Sequence, residues 1–413
     1  MSSQKKRSLA TGQPAWLLQK YAENQIGQSL ERAEMSKYVG NARLAALASI
    51  PIILILAANV IQPPKYQLKM LHALHSPAHP SMHVDSWPGK FLIISYLDPL
   101  SRDSQLCYKG PDDAYIVVFW VLIWTVAREV LMRYFWYPLG RAWGIKKQGD
   151  IMRFAEQGWS LAYYTVFWLM GAHIMATSPY SPYPDFDLSR MWRGYPFITI
   201  SAHSKWYYLV QTAFIIQQLI VLNIEKKRKD FTQMLSHHII TIALVVASYT
   251  TNNTPIGTAI LSVMDFTDIV LPAAKMLKYM GLTTACDAAF GLFIVSWIIT
   301  RHVLFGILLY SVIVDVPRYT PYIWEPARGL FLDYWSHHLF ILALGALQFI
   351  ILLWLFMILR VLYKILTGAN AEDVRSDSED DDMQPEEAEP LVATNGQTNG
   401  LAHAVAKDVK KRQ

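Results

Sequence analysis

A chain of 413 residues that is 53% apolar and 17% charged is too greasy to be a soluble domain, and a modest, unevenly placed net charge of +5 argues for membrane topology and surface contact before nucleic acid. Its two cysteines, Cys107 and Cys286, exclude a disulfide framework. Repeated apolar runs of about 20 residues, the length that crosses a hydrocarbon core, point to a membrane protein.

Residues 1–43 are charged and helix-compatible, and read as a cytosolic amphipathic helix lying on the membrane. They contain no short apolar segment followed by a cleavage site, so the first membrane helix is expected to serve as insertion signal. Apolar segments follow at 44–61, 114–136, 158–176, 206–224, 234–249, 256–277, 288–314 and 338–366. They predict an all-α polytopic membrane protein of about eight transmembrane helices, divided into a cytosolic 1–43, two helices with a long luminal loop over 44–152, a helical domain over 153–366 and a tail over 367–413.

Orientation follows from the basic residues. Arg32, Lys37 and Arg43 precede the first span, Arg141, Lys146, Lys147 and Arg153 follow the second, and Lys226, Lys227, Arg228 and Lys229 follow the fourth. The alternate loops are poor in Lys and Arg for their length, so both termini are placed in the cytosol. The tail is acidic and of low complexity and is expected to be disordered. Within it Ser376 and Ser378 each have an acidic residue three positions on, which marks them as phosphorylation candidates. The end, Lys410-Lys411-Arg412-Gln413, has the form of a cytosolic dilysine retrieval signal of the endoplasmic reticulum.

The chemistry concentrates in the fifth and sixth segments, two apolar stretches joined by the polar hinge Thr250-Thr251-Asn252-Asn253. The first opens on the doublet His237-His238; the second carries Asp265 and Asp268 on one helical face. Intramembrane carboxylates are costly and mark function by default. Folded back on one another, the two helices would bring carboxylates to imidazoles, an arrangement that orients a general base. Arg301 and His302, inside the seventh segment, need a carboxylate, a phosphate or a water-filled cavity; Asp265 or Asp268 is one partner for Arg301, an anionic substrate another. The run from Lys226 to Lys229 reads as a topology signal or an electrostatic mouth for a polyanion.

Other groups carry weaker signals. The doublet His337-His338 has only Asp333 within reach by sequence and reads as an interface pair. His72, His75, His79 and His83 lie in a Pro-interrupted luminal stretch with weak metal-ligand character, and no metal is expected. Asn252-Asn253-Thr254 is a glycosylation sequon in a loop too short to hold its acceptor clear of the membrane.

The run Arg228-Lys229-Asp230, Met234, His237-His238, Thr241, Ser248-Tyr249, Gly257, Asp265, Asp268, Lys275-Met276-Leu277 and Tyr279 resembles the Lag motif of ceramide synthases, sphingoid-base N-acyltransferases built on the TLC membrane domain. Trp192-Arg193-Gly194-Tyr195-Pro196, Lys205, Tyr207-Tyr208, Asp287, Phe290, Trp297 and Arg301 extend the resemblance to about half the chain. It looks like a fungal member, with no homeobox-like insert. The resemblance implies a TLC helical barrel around an intramembrane active site, with His237, His238, Asp265 and Asp268 as the catalytic set. Arg301, Lys205, Arg228 and Lys229 are taken as substrate-binding. The implied reaction joins a fatty acyl-CoA to a sphingoid amine without a cofactor, one imidazole acting as base or as an acylated nucleophile. It also implies that the last luminal loop, 315–335, sets acyl length, and that residues 62–113 dock a small single-span subunit in a homo- or heterodimer. Two other classes compete. A non-catalytic TLC lipid sensor or translocon-associated factor would need neither the His doublet nor the Asp pair, and a di-iron lipid oxidase would need several histidine boxes absent here.

Overall fold

A computed structural model of the chain describes residues 41–58, 88–98, 101, 106–225 and 230–367. The amphipathic 1–40 region, the four histidines from His72 to His83, the basic run Lys226–Lys229 (with the expected substrate-binding Arg228 and Lys229), Ser376, Ser378 and the dilysine end lie outside the described residues. The chain divides into two units, 1–355 and 356–413. The described part of the second is the closing turns of the last helix.

Long apolar runs become helices because a bilayer leaves no water to satisfy backbone N–H and C=O groups. Among the described residues these are α1 (Asn41–Ala58), α2 (Asp113–Ala142), α3 (Gln148–Thr177), α4 (Ala202–Ile224), α5 (Phe231–Thr250), α6 (Thr254–Tyr279), α7 (Thr283–Val314) and α8 (Tyr334–Leu366). All but α3 are long and apolar enough to cross a membrane, which makes seven rather than the expected eight. Polar residues such as Gln157, Ser160, Tyr163, Tyr164 and Thr165 dilute α3.

The packing nevertheless requires α3 to cover the same distance. α2 and α4 lie side by side and run in the same direction, since Asp113 meets Lys205 near their first turns (2.7 Å) and, further along both, Arg128 meets Glu225 (2.9 Å). Between two parallel neighbours the chain must return, and α3, at 30 residues, spans about 45 Å for a core of about 30 Å. Its buried stripe, including Ile151, Ala155, Trp159, Tyr163, Phe167, Gly171 and Ile174, repeats at helical spacing, and the helix also lies along α6.

Among the described residues, two small antiparallel ribbons supplement the helices. β1 (Leu106–Tyr108) pairs with β2 (Thr199–Ser201), Cys107 opposite Ile200, just ahead of α2 and α4 respectively. β3 (Ile323–Glu325) pairs with β4 (Leu330–Leu332) across a turn that closes on Gly329 at φ 73°, a left-handed conformation that glycine adopts without strain. Between α2, α3 and α4 sits an aromatic core: Trp124 meets Trp159, Tyr163, Phe167 and Phe214 edge-on, the arrangement ring quadrupoles favour. Large apolar side chains such as Leu47, Leu339, Leu342 and Phe349 stay exposed, as lipid-facing residues do.

A polar junction ties these elements together. The Lys205 ammonium pairs with Asp113 and donates to the carbonyls of Ser95 (2.8 Å) and Tyr108 (2.6 Å). Tyr249, at the end of α5, donates to the other Asp113 oxygen at 2.8 Å. Lys109 donates to Phe197 O (2.7 Å) and Asn252 Oδ1 (3.1 Å), and Asn252 donates to Gly329 O (2.9 Å). Lys205, expected to bind substrate, is fully buried here, with two backbone carbonyls and the Asp113 carboxylate around its ammonium. The Asn252 amide, expected to stay free of glycan, is buried in this junction. Both cysteines, Cys107 and Cys286, are buried.

Candidate active site

α5 and α6 form the hairpin that the hinge between them suggested. Helix α6 is interrupted at Phe266, between its two carboxylates, and carries Pro272, which cannot donate to the Asp268 carbonyl. α7 contains a π-helical segment, Ile299–Leu304, of a kind found at functional positions. The segment places Arg301 toward α6 and the adjacent His302 toward α8, where Gln348 donates to His302 Nδ1 at 2.8 Å.

His237, His238, Asp265, Asp268 and Arg301 all line one chamber. Its walls are otherwise mostly apolar, with Ile256, Ile260, Leu261, Phe340, Leu344 and Leu347 among them, as ligand clefts usually are. Val316 and Leu332, from the loop between α7 and α8, contribute as well. The side chains singled out on three different helices therefore share one space.

The carboxylates do not, however, orient the imidazoles. No hydrogen bond joins His237 or His238 to Asp265 or Asp268; each acid has another partner. Asp265 is buried and accepts from the Gln211 amide at 2.6 Å. That amide is held in turn by Tyr163, whose hydroxyl donates to Gln211 Oε1 at 2.6 Å, and it also reaches Tyr207 OH at 3.3 Å. Asp268, one of the partners expected for Arg301, accepts from its Nη2 at 2.8 Å. Arg301 also donates to Thr267 Oγ1 (2.9 Å) and Met264 O (3.0 Å), and its guanidinium lies 4.8 Å from the Trp297 ring centroid. A desolvated cation with carboxylate, carbonyl and ring contacts is satisfied within the membrane.

The imidazoles are less committed. Nδ1 of His237 and Nδ1 of His238 are sealed from solvent and have no hydrogen-bond partner. The His237 ring stands 5.3 Å from that of Trp354, edge to face. The second doublet behaves differently. His337 is buried, its Nε2 lies 2.8 Å from Val312 O and its Nδ1 2.8 Å from Tyr322 OH, so Nε2 carries the proton and both nitrogens are used. It touches the chamber as a wall, while the His338 ring, outside that lining, lies tilted against Tyr334 at 4.0 Å.

Gln211, Tyr163, Tyr164, Tyr208 and Ser248 are site residues that reading the sequence did not single out for a role. Gln211 had a usable signal, an amide in an otherwise apolar span. Tyr163 and Tyr164 had none, since tyrosine is common in any membrane helix. Among the described residues no group of three or more His, Cys, Asp or Glu side chains is arranged to hold a metal ion.

Fold and site together define a polytopic helical membrane protein with polar groups sunk in an apolar chamber. Within that class the chain belongs to the TLC-domain family, whose sequence model matches residues 153–360. It is 37% identical over 302 residues to the sphingosine N-acyltransferase lag1 of Schizosaccharomyces pombe, covering 71% of this chain and 74% of that one. It is 36% identical over 340 residues to the ceramide synthase FUM18 of Gibberella moniliformis, covering 76% and 77%. With the ceramide synthase LAG1 of Saccharomyces cerevisiae it shares 34% over 300 residues, 72% and 71% of the two chains.

Proposed function

We propose that this protein is a ceramide synthase, an acyltransferase that moves a long or very-long-chain fatty acyl group from acyl-CoA to the amine of a sphingoid base, dihydrosphingosine or phytosphingosine. The observation that carries the reading is the shared chamber: a His doublet and an Asp pair from consecutive helices, within an apolar space suited to hydrocarbon tails. The relatives named for this reaction supply its substrate class.

The chemistry suits these groups. A sphingoid amine is protonated at neutral pH and must lose a proton before it attacks, and an imidazole is the side chain able to take one there. One of His237 and His238 serves as base, or is acylated at nitrogen so that the transfer proceeds in two steps. Asp265, held by Gln211, and Asp268, held by Arg301, receive the cationic amine and hydroxyls of the base. Acyl-CoA is a co-substrate, and the reaction needs no cofactor, metal or nucleic acid. In this reading the enzyme is an endoplasmic-reticulum membrane protein with both termini in the cytosol. Arg228 and Lys229 draw in the CoA phosphates, loop 315–335 sets acyl length, and the chain works as a homo- or heterodimer with a small single-span subunit. Ser376 and Ser378 are its phosphorylation sites.

The test is acyl transfer in microsomes carrying the full chain, with wild type beside His237→Ala and His238→Ala. Both variants are expected to lose product by at least about 100-fold. Undiminished product in both would leave a lipid-binding protein instead. Intact-mass measurement after acyl-CoA alone distinguishes the two roles, since an acylated nucleophile adds the mass of the acyl group.

A further inference from the structure

Threonines within membrane helices ordinarily resolve their hydroxyl by donating to the carbonyl four residues back, one of the rotamer wells the helix allows. This protein follows the habit. Thr125, Thr165, Thr212, Thr258 and Thr300 each donate to that carbonyl at 2.6–2.9 Å. Thr241, in the middle of α5, does not: its Oγ1 is sealed from solvent and has no hydrogen-bond partner. It lines the same chamber as the His doublet and lies four residues beyond His237 and three beyond His238, hence on their helical face. A hydroxyl in low dielectric that forgoes its backbone acceptor is unfavourable unless a ligand meets it.

We infer that the Thr241 hydroxyl is a further catalytic group, the donor that receives the carbonyl oxygen of the acyl thioester as its carbon becomes tetrahedral. The inference rests on the acyl-transfer reading above and names a role within it. When nitrogen attacks, the C–N bond forms and the carbonyl π pair moves onto oxygen, where the Thr241 O–H stabilises it. The oxyanion then collapses, the C–S bond breaks, and the CoA thiolate leaves with the proton that an imidazole took from the amine. Acyl thioester and amine thus yield amide and thiol in balance. A donor aimed at developing charge in a water-poor site acts chiefly on the transition state, so its loss falls on kcat.

Thr241→Val removes the hydroxyl at nearly constant shape, and Thr241→Ser restores it. In microsomes carrying the full chain, Thr241→Val is expected to lower kcat on the order of 100-fold with KM for acyl-CoA within about threefold. Thr241→Ser should recover most of the rate. The thermal midpoint of detergent-purified Thr241→Val should equal or exceed that of wild type, because an apolar methyl replaces a partnerless hydroxyl. A rate for Thr241→Val within about threefold of wild type would overturn the inference alone, as would a KM rise at constant kcat or a lowered midpoint that serine does not rescue. Absence of N-acyl product from the wild-type chain would overturn the acyl-transfer reading and this inference together.

Discussion

Arg301 concentrates the electrostatics of the chamber in one side chain. Its planar fork meets a carboxylate, a hydroxyl and a backbone carbonyl at 2.8–3.0 Å, and a lysine ammonium could not reproduce that geometry. Arg301→Leu leaves Asp268 without its cation and is expected to destabilise the protein by about 2 kcal/mol, hydrogen bonds to charged groups being worth about 1.5–3. Thermal unfolding in detergent measures it, and Arg301→Lys should fall between the two. Gln211 plays the matching role for Asp265. The Tyr163 hydroxyl fixes which end of the amide faces the acid, so Gln211 presents N–H rather than oxygen to the carboxylate.

At the scale of elements, the close approach of α3 to α4 and α6 depends on Gly171. A Cβ there would sit 2.6 Å from the Tyr207 hydroxyl and 3.1 Å from the Ser262 Cβ. Tyr207 is fully buried and receives the Gln211 amide, so it cannot move without disturbing the support of Asp265. Gly171→Ala is therefore expected to destabilise by about 1–3 kcal/mol and to lower acyl-transfer activity beyond what the stability loss explains. Activity assayed well below the variant's melting temperature separates the two effects. The π-helical segment of α7 is a second such device: without its extra residue per turn, Arg301 and His302 would not keep their present partners on α6 and α8.

For the whole molecule, the junction of Asp113, Lys205, Lys109, Tyr249, Asn252 and Gly329 is the contact that binds the segment before α2 to the α5–α6 hinge and the β3–β4 ribbon. Lys109, outside the spans, has its pKa pushed down to about 7 by burial and then by the charge of Lys205, against a partial pull upward from Asp113. The folded protein therefore binds fewer protons than the unfolded chain between about pH 7 and the ordinary lysine value of about 10.4, and stability rises with pH across that window. The thermal midpoint should climb from pH 7 to 9, and Lys109→Met should flatten the slope even if it lowers the midpoint throughout.

Membrane class, the approximate spans, the α5–α6 hairpin and the His and Asp residues were legible in the linear order because a bilayer imposes length and apolarity on every crossing segment, which makes each polar exception conspicuous. The span at 158–176 was legible in the sequence as well, although α3 is the most diluted by polar residues, and the parallel pairing of α2 with α4 supplies the reason that it must return across the core. Partner choice was out of reach. Asp268 to Arg301, Asp265 to Gln211 and Lys205 to Asp113 are settled by which helix faces which, and polar pairs across 33, 54 and 92 positions leave no local periodicity to read. The residue types were set by the sequence; whether a buried cation holds the fold together or faces the chamber was decided by packing, since an ion in a low-dielectric interior takes whatever acceptors the tertiary structure brings within hydrogen-bonding distance.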